Sequence, residues 1–133
     1  MKLVDIEGIG PVNAEKLAKA GLSSMAGLLE AGATPKGRKE IAAKSGVSDT
    51  KILEWVNRAD LYRIKGIGSE YSDLLEASGV DTVVELATRK PENLYKKMAE
   101  VNEAKKLVRQ LPGEKQVAAW IEEAKSLPRV VSY

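Results

Sequence analysis

Two stretches of this 133-residue chain read as copies of one another. The first, IEGIGPVNAEKLAKAGLSSMAGLL, starts at Ile6, and the second, IKGIGSEYSDLLEASGVDTVVELA, starts at Ile64. An offset of 58 residues carries Leu3 onto Leu61, Ile6 onto Ile64, Leu17 onto Leu75, Gly21 onto Gly79 and Leu28 onto Leu86. Duplication on this scale constrains the fold more than any single residue does. It predicts two related subdomains, residues 1–60 and 61–128, followed by a tail, 129–133. A solenoid is disfavoured because its units are shorter and stack in threes or more.

Within each copy the local signals are helical. Pro11 follows Gly10 at a position where a helix start accepts proline, and Gly21 closes the segment. Between them Ala14, Leu17 and Ala18 form an apolar face; Leu74, Leu75 and Ala77 do the same before Gly79. A short helix follows each, after Ser24 in one copy and after Thr82 in the other, where Thr82 and Glu85 have capping-box spacing. Pro35 and Pro91 each open a further helix. Leu94, Met98, Val101, Val108 and Leu111 keep a helical rhythm, as do Val117, Trp120, Ile121 and Ala124. Ile41 falls opposite Met98, and Trp55 opposite Trp120, so both tryptophans read as core anchors. Tight turns are expected at Ser45-Gly46-Val47-Ser48 and at Leu111-Pro112-Gly113. No stretch alternates at strand period, so the expected fold is all-α, compact or bilobed.

The pattern from Ile6 to Gly21, an apolar residue, Gly-Ile-Gly, then alanine, leucine and a closing glycine, resembles the helix-hairpin-helix motif of DNA ligases, repair nucleases and polymerases. The first repeat is also similar to the small N-terminal domain of archaeal and eukaryotic recombinases, in which a second hairpin resembles Gly46-Val47-Ser48. As a duplicated whole, the chain resembles a family of uncharacterised bacterial proteins made of tandem helix-hairpin-helix repeats (SAM-like folds). This resemblance implies backbone chemistry: hairpin glycines let the main chain approach a phosphate, and amides at the next helix start point at it. Gly8, Ile9, Gly10 and Val12 would form that surface in the first copy, and Ile67, Gly68 and Glu70 in the second. Many DNA-binding members carry a Lys or Arg two residues beyond the second glycine, whereas this chain has Val12 and Glu70 there. Glu70 and Asp73 oppose a phosphate, so the second Gly-Ile-Gly reads as a poor contact. The alternative role of these glycines is structural, supplying positive φ or close helix packing.

Charge favours the later turns instead. Lys44 and Lys51 flank Gly46, Val47 and Ser48, and Lys115 follows Gly113. Two basic stretches stand out, Lys36, Arg38, Lys39 and Lys44, and then Arg89, Lys90, Lys96, Lys97, Lys105, Lys106 and Arg109, the latter diluted by Glu92, Glu100 and Glu103. If clustered, they would bind several phosphates weakly and with strong salt dependence; mixed i,i+4 pairs on a solvated surface are the competing explanation. Tyr95 is isolated, which argues against a single-strand stacking platform. Gly32 to Lys39 superficially resembles a P-loop but has Arg38 and Lys39 where that motif needs Lys and Ser or Thr, and no strand precedes it.

Composition removes other classes. Cys and His are both absent, so thiolate chemistry, disulfides and the usual general base are excluded, and no metal site or cofactor is expected. The carboxylates show no pair poised for acid–base work, so no catalytic residue is assigned. A net charge of +2 provides no long-range steering. The N-terminus has no run suited to a signal peptide and nothing suits a membrane span, so a soluble cytoplasmic protein is expected. The expected function is a non-enzymatic module binding DNA or another nucleic acid without sequence readout. The alternative is a protein–protein or self-association module that has lost those contacts.

Overall fold

A computed structural model of the chain describes residues 3–6 and 8–133. Among them are eight α-helices and a short 3-10 turn, Leu3–Asp5, with no strand. The helices are α1 Gly10–Lys19, α2 Met25–Ala31, α3 Pro35–Ser45, α4 Asp49–Leu61, α5 Ser69–Ala77, α6 Val83–Ala87, α7 Pro91–Lys105 and α8 Glu114–Ser126. The chain divides into two compact units, Met1–Asp60 with Val130–Tyr133, and Leu61–Arg129.

Both units start their helical core in the same way. In the first, the Ile6 amide donates to Leu3 O and the Ile9 amide to Ile6 O, both at 3.1 Å. In the second, Ile64 donates to Leu61 O at 3.1 Å and Ile67 to Ile64 O at 3.2 Å. All these isoleucines are buried, so two successive turns are pinned by apolar side chains as well as by hydrogen bonds. The ends of α1 and α5 match too. Gly21 donates to Ala18 O and Leu22 to Leu17 O; Gly79 donates to Glu76 O and Val80 to Leu75 O. This crossed pair of bonds satisfies carbonyls that a helix end otherwise leaves open. Side-chain caps start α2, α3 and α6, where Ser24, Thr34 and Thr82 accept from the amides of Gly27, Gly37 and Glu85. Each such cap contributes about 1 kcal/mol. The Glu85 carboxylate of the expected capping box is engaged by Arg89 at 2.6 Å.

The last helix of each unit carries the heart of its core. Ile52, Trp55, Val56 and Ala59 are buried on α4, and Val117, Trp120, Ile121 and Ala124 are buried on α8. Each quartet has the i, i+3, i+4, i+7 spacing of a single helix face. The tryptophans sit opposite the first glycine of Gly-Ile-Gly. A Cβ on Gly8 would lie 3.4 Å from Trp55 Nε1, and one on Gly66 3.2 Å from Trp120 Nε1. Both glycines have positive φ, +89° and +91°, a region that L side chains rarely adopt. Turn geometry thus favours glycine at both positions, and at Gly66 the tight approach of Trp120 adds to it. In the second unit α6 and α7 pack on α8 and α5 packs on α7; in the first, α1 and α2 pack on α3.

Several details depart from the sequence reading. Ala18 is exposed, so Leu17 alone of α1 is buried. Helix α7 stops at Lys105, and Val108 and Leu111 lie in an irregular connection of residues 106–113. Val108 is still buried, which explains why it kept the apolar rhythm without being helical. Helix α3 ends on a three-residue turn at Gly46 (φ +76°), whereas Gly113 has φ −68° and starts α8. The left-handed residue after α7 is instead Lys106, with φ 51° and ψ 48°.

The last residues complete the first unit. Ser132 donates its amide to Ala33 O at 2.8 Å, and Arg38 donates to Gly32 O at 2.8 Å and to Ser132 O at 2.7 Å. The Arg38 guanidinium lies 5.9 Å from the centre of the Tyr133 ring, and Tyr133 Oη donates to Asn57 Oδ1 at 3.1 Å. Arg38 is 5% exposed, so its charge serves this dock; its expected place in a solvent-facing basic stretch is corrected.

Candidate nucleic-acid interface

The two Gly-Ile-Gly turns differ where a phosphate would approach. The Ile9 and Ile67 amides are turned inward onto Ile6 O and Ile64 O, so Ile9 does not offer its amide as the motif reading expected. A ligand at the start of α1 would meet the amides of Gly10 and Val12, since Pro11 has none. Gly10 has φ +59°, but Gly68 at the matched position is extended, with φ −109° and ψ −165°. The Gly8 carbonyl accepts from Asn13 Nδ2 at 3.1 Å, which fixes the first turn further. In the second, Tyr71 replaces Asn13 and tilts onto Trp120 with ring centres 5.3 Å apart. Val12 is 68% exposed and Glu70 lies in the first turn of α5. Neither start has a cation at this position, and the second opposes an anion.

Three amides of the α3–α4 turn are engaged within it. Gly46 donates to Ala42 O, the Val47 amide to Ser45 Oγ at 3.2 Å, and the Lys51 amide to Ser48 Oγ at 3.3 Å. Val47 is buried and anchors the turn, while Lys44 and Ser48 are exposed. Lys51 pairs with Glu54 at 3.8 Å, both side chains more than half exposed. Such a pair is held weakly in water. What the turn adds for an anion is the side-chain charge of Lys44 and Lys51, beside the first amides of α4 that a helix start leaves without intrahelical partners.

Beside it runs a shallow groove of about 210 Å³, lined by Pro35, Arg38, Lys39, Asp49, Thr50 and Leu53 where α3 and α4 begin. The second unit has one of about 370 Å³ at the starts of α7 and α8, lined by Pro91, Glu92, Glu114, Lys115 and Ala118. Lys115 and Gly113 thus sit at a helix start with two carboxylates close by, a setting that offsets the lysine's attraction for a phosphate. Lys105 and Lys106 lie apart from that start, at the other end of the 106–113 connection, and both are exposed. Arg89 is held by Glu85 and by Gly79 O at 2.9 Å.

The charge balance makes these local differences matter. Residues 1–60 carry nine Lys or Arg and eight Asp or Glu, and residues 61–129 carry twelve and eleven. Each unit is therefore +1, and any attraction for a polyanion must come from the turns. Asp81, before α6, shows the reverse tendency: burial raises its carboxyl above the usual 3.8, opposed by a hydrogen bond from its own backbone and reinforced by Glu76 and Glu85. Among the described residues, no group of three or more Asp or Glu is placed to hold a metal ion. No helix there is long and apolar enough to cross a membrane.

The Arg38–tail dock, the inward isoleucine amides and the left-handed Lys106 were not foreseen. Only the last leaves a sequence signal: the glycine that ends α3 has no counterpart at the end of α7.

These features define an all-α protein with two compact four-helix units. The chain belongs to the DUF4332 family, a domain of unknown function whose profile matches residues 7–127. Searches of curated proteins and of solved structures return no match.

Proposed function

We propose that the protein is a non-enzymatic binding module of two tandem helix-hairpin-helix units that contacts nucleic-acid phosphates without reading sequence. The observation that carries this reading is the placing of exposed lysines at the helix ends beside the connections of the later helices. Lys44 and Lys51 flank Gly46–Ser48, and Lys105 and Lys106 end α7. Of these four, only Lys51 has a carboxylate partner among the described residues, a solvent-exposed one. Lysines in this setting bind phosphates by releasing condensed counterions, which gives affinity without base recognition. With each unit near neutral, binding is weak and sensitive to salt.

The test is a mobility-shift or anisotropy titration of the full chain with a labelled duplex of about 20 base pairs at about 50 mM salt, where such contacts are strong. The reading expects a shift that Lys44→Glu with Lys51→Glu weakens, and that Lys105→Glu with Lys106→Glu weakens as well. No shift at low salt sinks it.

One observation favours a second reading, a protein-interaction or self-association module. Val12, at the position where many DNA-binding hairpins of this kind carry a cation, is 68% exposed. On that reading, sedimentation detects association that Val12→Ser abolishes and that lysine reversal leaves intact.

A further inference from the structure

The connection between α7 and α8 carries a conformational oddity in the middle of its charge. Lys106 is the one non-glycine residue with positive φ among the described residues. Its counterpart at the end of α3 is Gly46, the residue type this backbone favours. Asparagine is also tolerated in this region, yet the position holds lysine, whose Cβ is disfavoured and whose head group makes no hydrogen bond or ion pair among the described residues. Backbone strain of this kind persists where surrounding structure over-determines it, and often accompanies function.

The surroundings do over-determine it. The Lys106 amide donates to Asn102 O at 2.7 Å, and the Asn102 side chain accepts from the Val108 amide at 3.0 Å. Val108 is buried, and Tyr71 Oη donates to Gln110 O at 3.3 Å. The connection is therefore tied down on both sides of Lys106. What it turns outward is Lys105, Lys106, Leu107 and Arg109, all exposed. No hydrogen bond or ion pair within the described residues engages the head groups of the three cations. Lys105 at the end of α7 and Lys106 and Arg109 on this tied connection carry charge of the kind that contacts duplex phosphates without reading sequence.

We infer that residues Lys105–Arg109 are the principal phosphate-contacting element of the second unit, and that Lys106 keeps its left-handed backbone because its charge is needed there. The inference rests on the nucleic-acid reading above, and it moves the contact in this unit away from the start of α5, where Glu70 stands, and from the start of α8, where Glu92 and Glu114 line the groove. It also predicts an opposition that a merely structural turn lacks: relieving the backbone should weaken binding.

The experiment compares full-length wild type with Lys106→Gly, Lys106→Arg and Lys96→Gln, the last on the exposed middle of α7. Duplex affinity is read at about 50 mM salt, where losing one phosphate contact weakens binding roughly tenfold. Lys106→Gly should lose about that factor while its denaturant midpoint stays at or above wild type. Lys106→Arg should bind as wild type, and Lys96→Gln should change affinity by no more than about twofold, as a charge outside the contact. Undiminished binding by Lys106→Gly, or an equal loss in Lys96→Gln, overturns the inference while leaving the broader reading standing. Wild type that ignores the duplex but binds phosphatidylserine vesicles overturns both.

Discussion

The two glycines of the second Gly-Ile-Gly should respond to substitution in opposite ways. Gly66 has φ +91°, and a Cβ there would lie 3.2 Å from Trp120 Nε1 and 3.7 Å from Gln116 Nε2. The left-handed backbone costs a non-glycine residue about 1–2 kcal/mol. The close contact adds to this, because Trp120 is 2% exposed in a packed core and has little room to give. Overpacking of that kind costs about 1 kcal/mol at its lower end, so Gly66→Ala should lose roughly 2–3 kcal/mol in all. Gly68 is extended, with no atom within 4 Å of a built Cβ, and it caps α5 without a side-chain hydrogen bond. Gly68→Ser should therefore be neutral or stabilising by a few tenths of a kcal/mol. Urea unfolding of the full chain, followed by tryptophan fluorescence and circular dichroism, measures both. Equal losses at the two positions, or an unaffected Gly66→Ala, would refute the argument that the first glycine is there for conformation and packing.

Other substitutions test separate parts of the account. Arg38→Ala removes donors from the carbonyls of Gly32 and Ser132; charged hydrogen bonds of this kind are worth about 1.5–3 kcal/mol each. A loss of about 3 kcal/mol in thermal unfolding is expected, with partial rescue by Lys, which lacks the planar fork; no loss would show that the tail is not held by this arginine. Asp81 has a raised carboxyl, so the folded protein binds its proton more tightly than the unfolded chain does. Stability from this group therefore falls as pH rises from the ordinary value of 3.8 through the raised one, and the penalty is complete above it. Asp81→Asn should melt slightly higher than wild type at neutral pH and converge with it below that window. A difference that instead grows towards low pH would contradict the assignment.

Much of the fold was legible because it rests on apolar spacing and turn residues. The face Val117–Ala124, the match of Trp55 to Trp120, the proline starts at Pro35 and Pro91, and the closing glycines Gly21 and Gly79 all leave local signatures in sequence. The end of α7 was not legible. Val108 is buried although it is not helical, so a pattern of buried residues carried the helix rhythm past Lys105. The candidate site was harder still. A basic stretch does not show which cations face solvent, and Arg38 and Arg89, indistinguishable there from Lys44 or Lys106, are tied to backbone carbonyls by contacts that depend on folding. Arg38 is bound to a residue 94 positions away, beyond the reach of any local pattern.

The central claim is that exposed turn lysines bind nucleic-acid phosphates, and its most direct test is the salt dependence of duplex affinity. Three cations at the end of α7 and on the connection after it, Lys105, Lys106 and Arg109, imply a slope of log Kobs against log salt of about −2.7 or steeper, and thus about a fortyfold loss between 50 and 200 mM. Lys106→Gly should bring that slope closer to zero by about 0.9. Binding that is absent at the lowest salt, or that is present but flat across this range, would contradict the account.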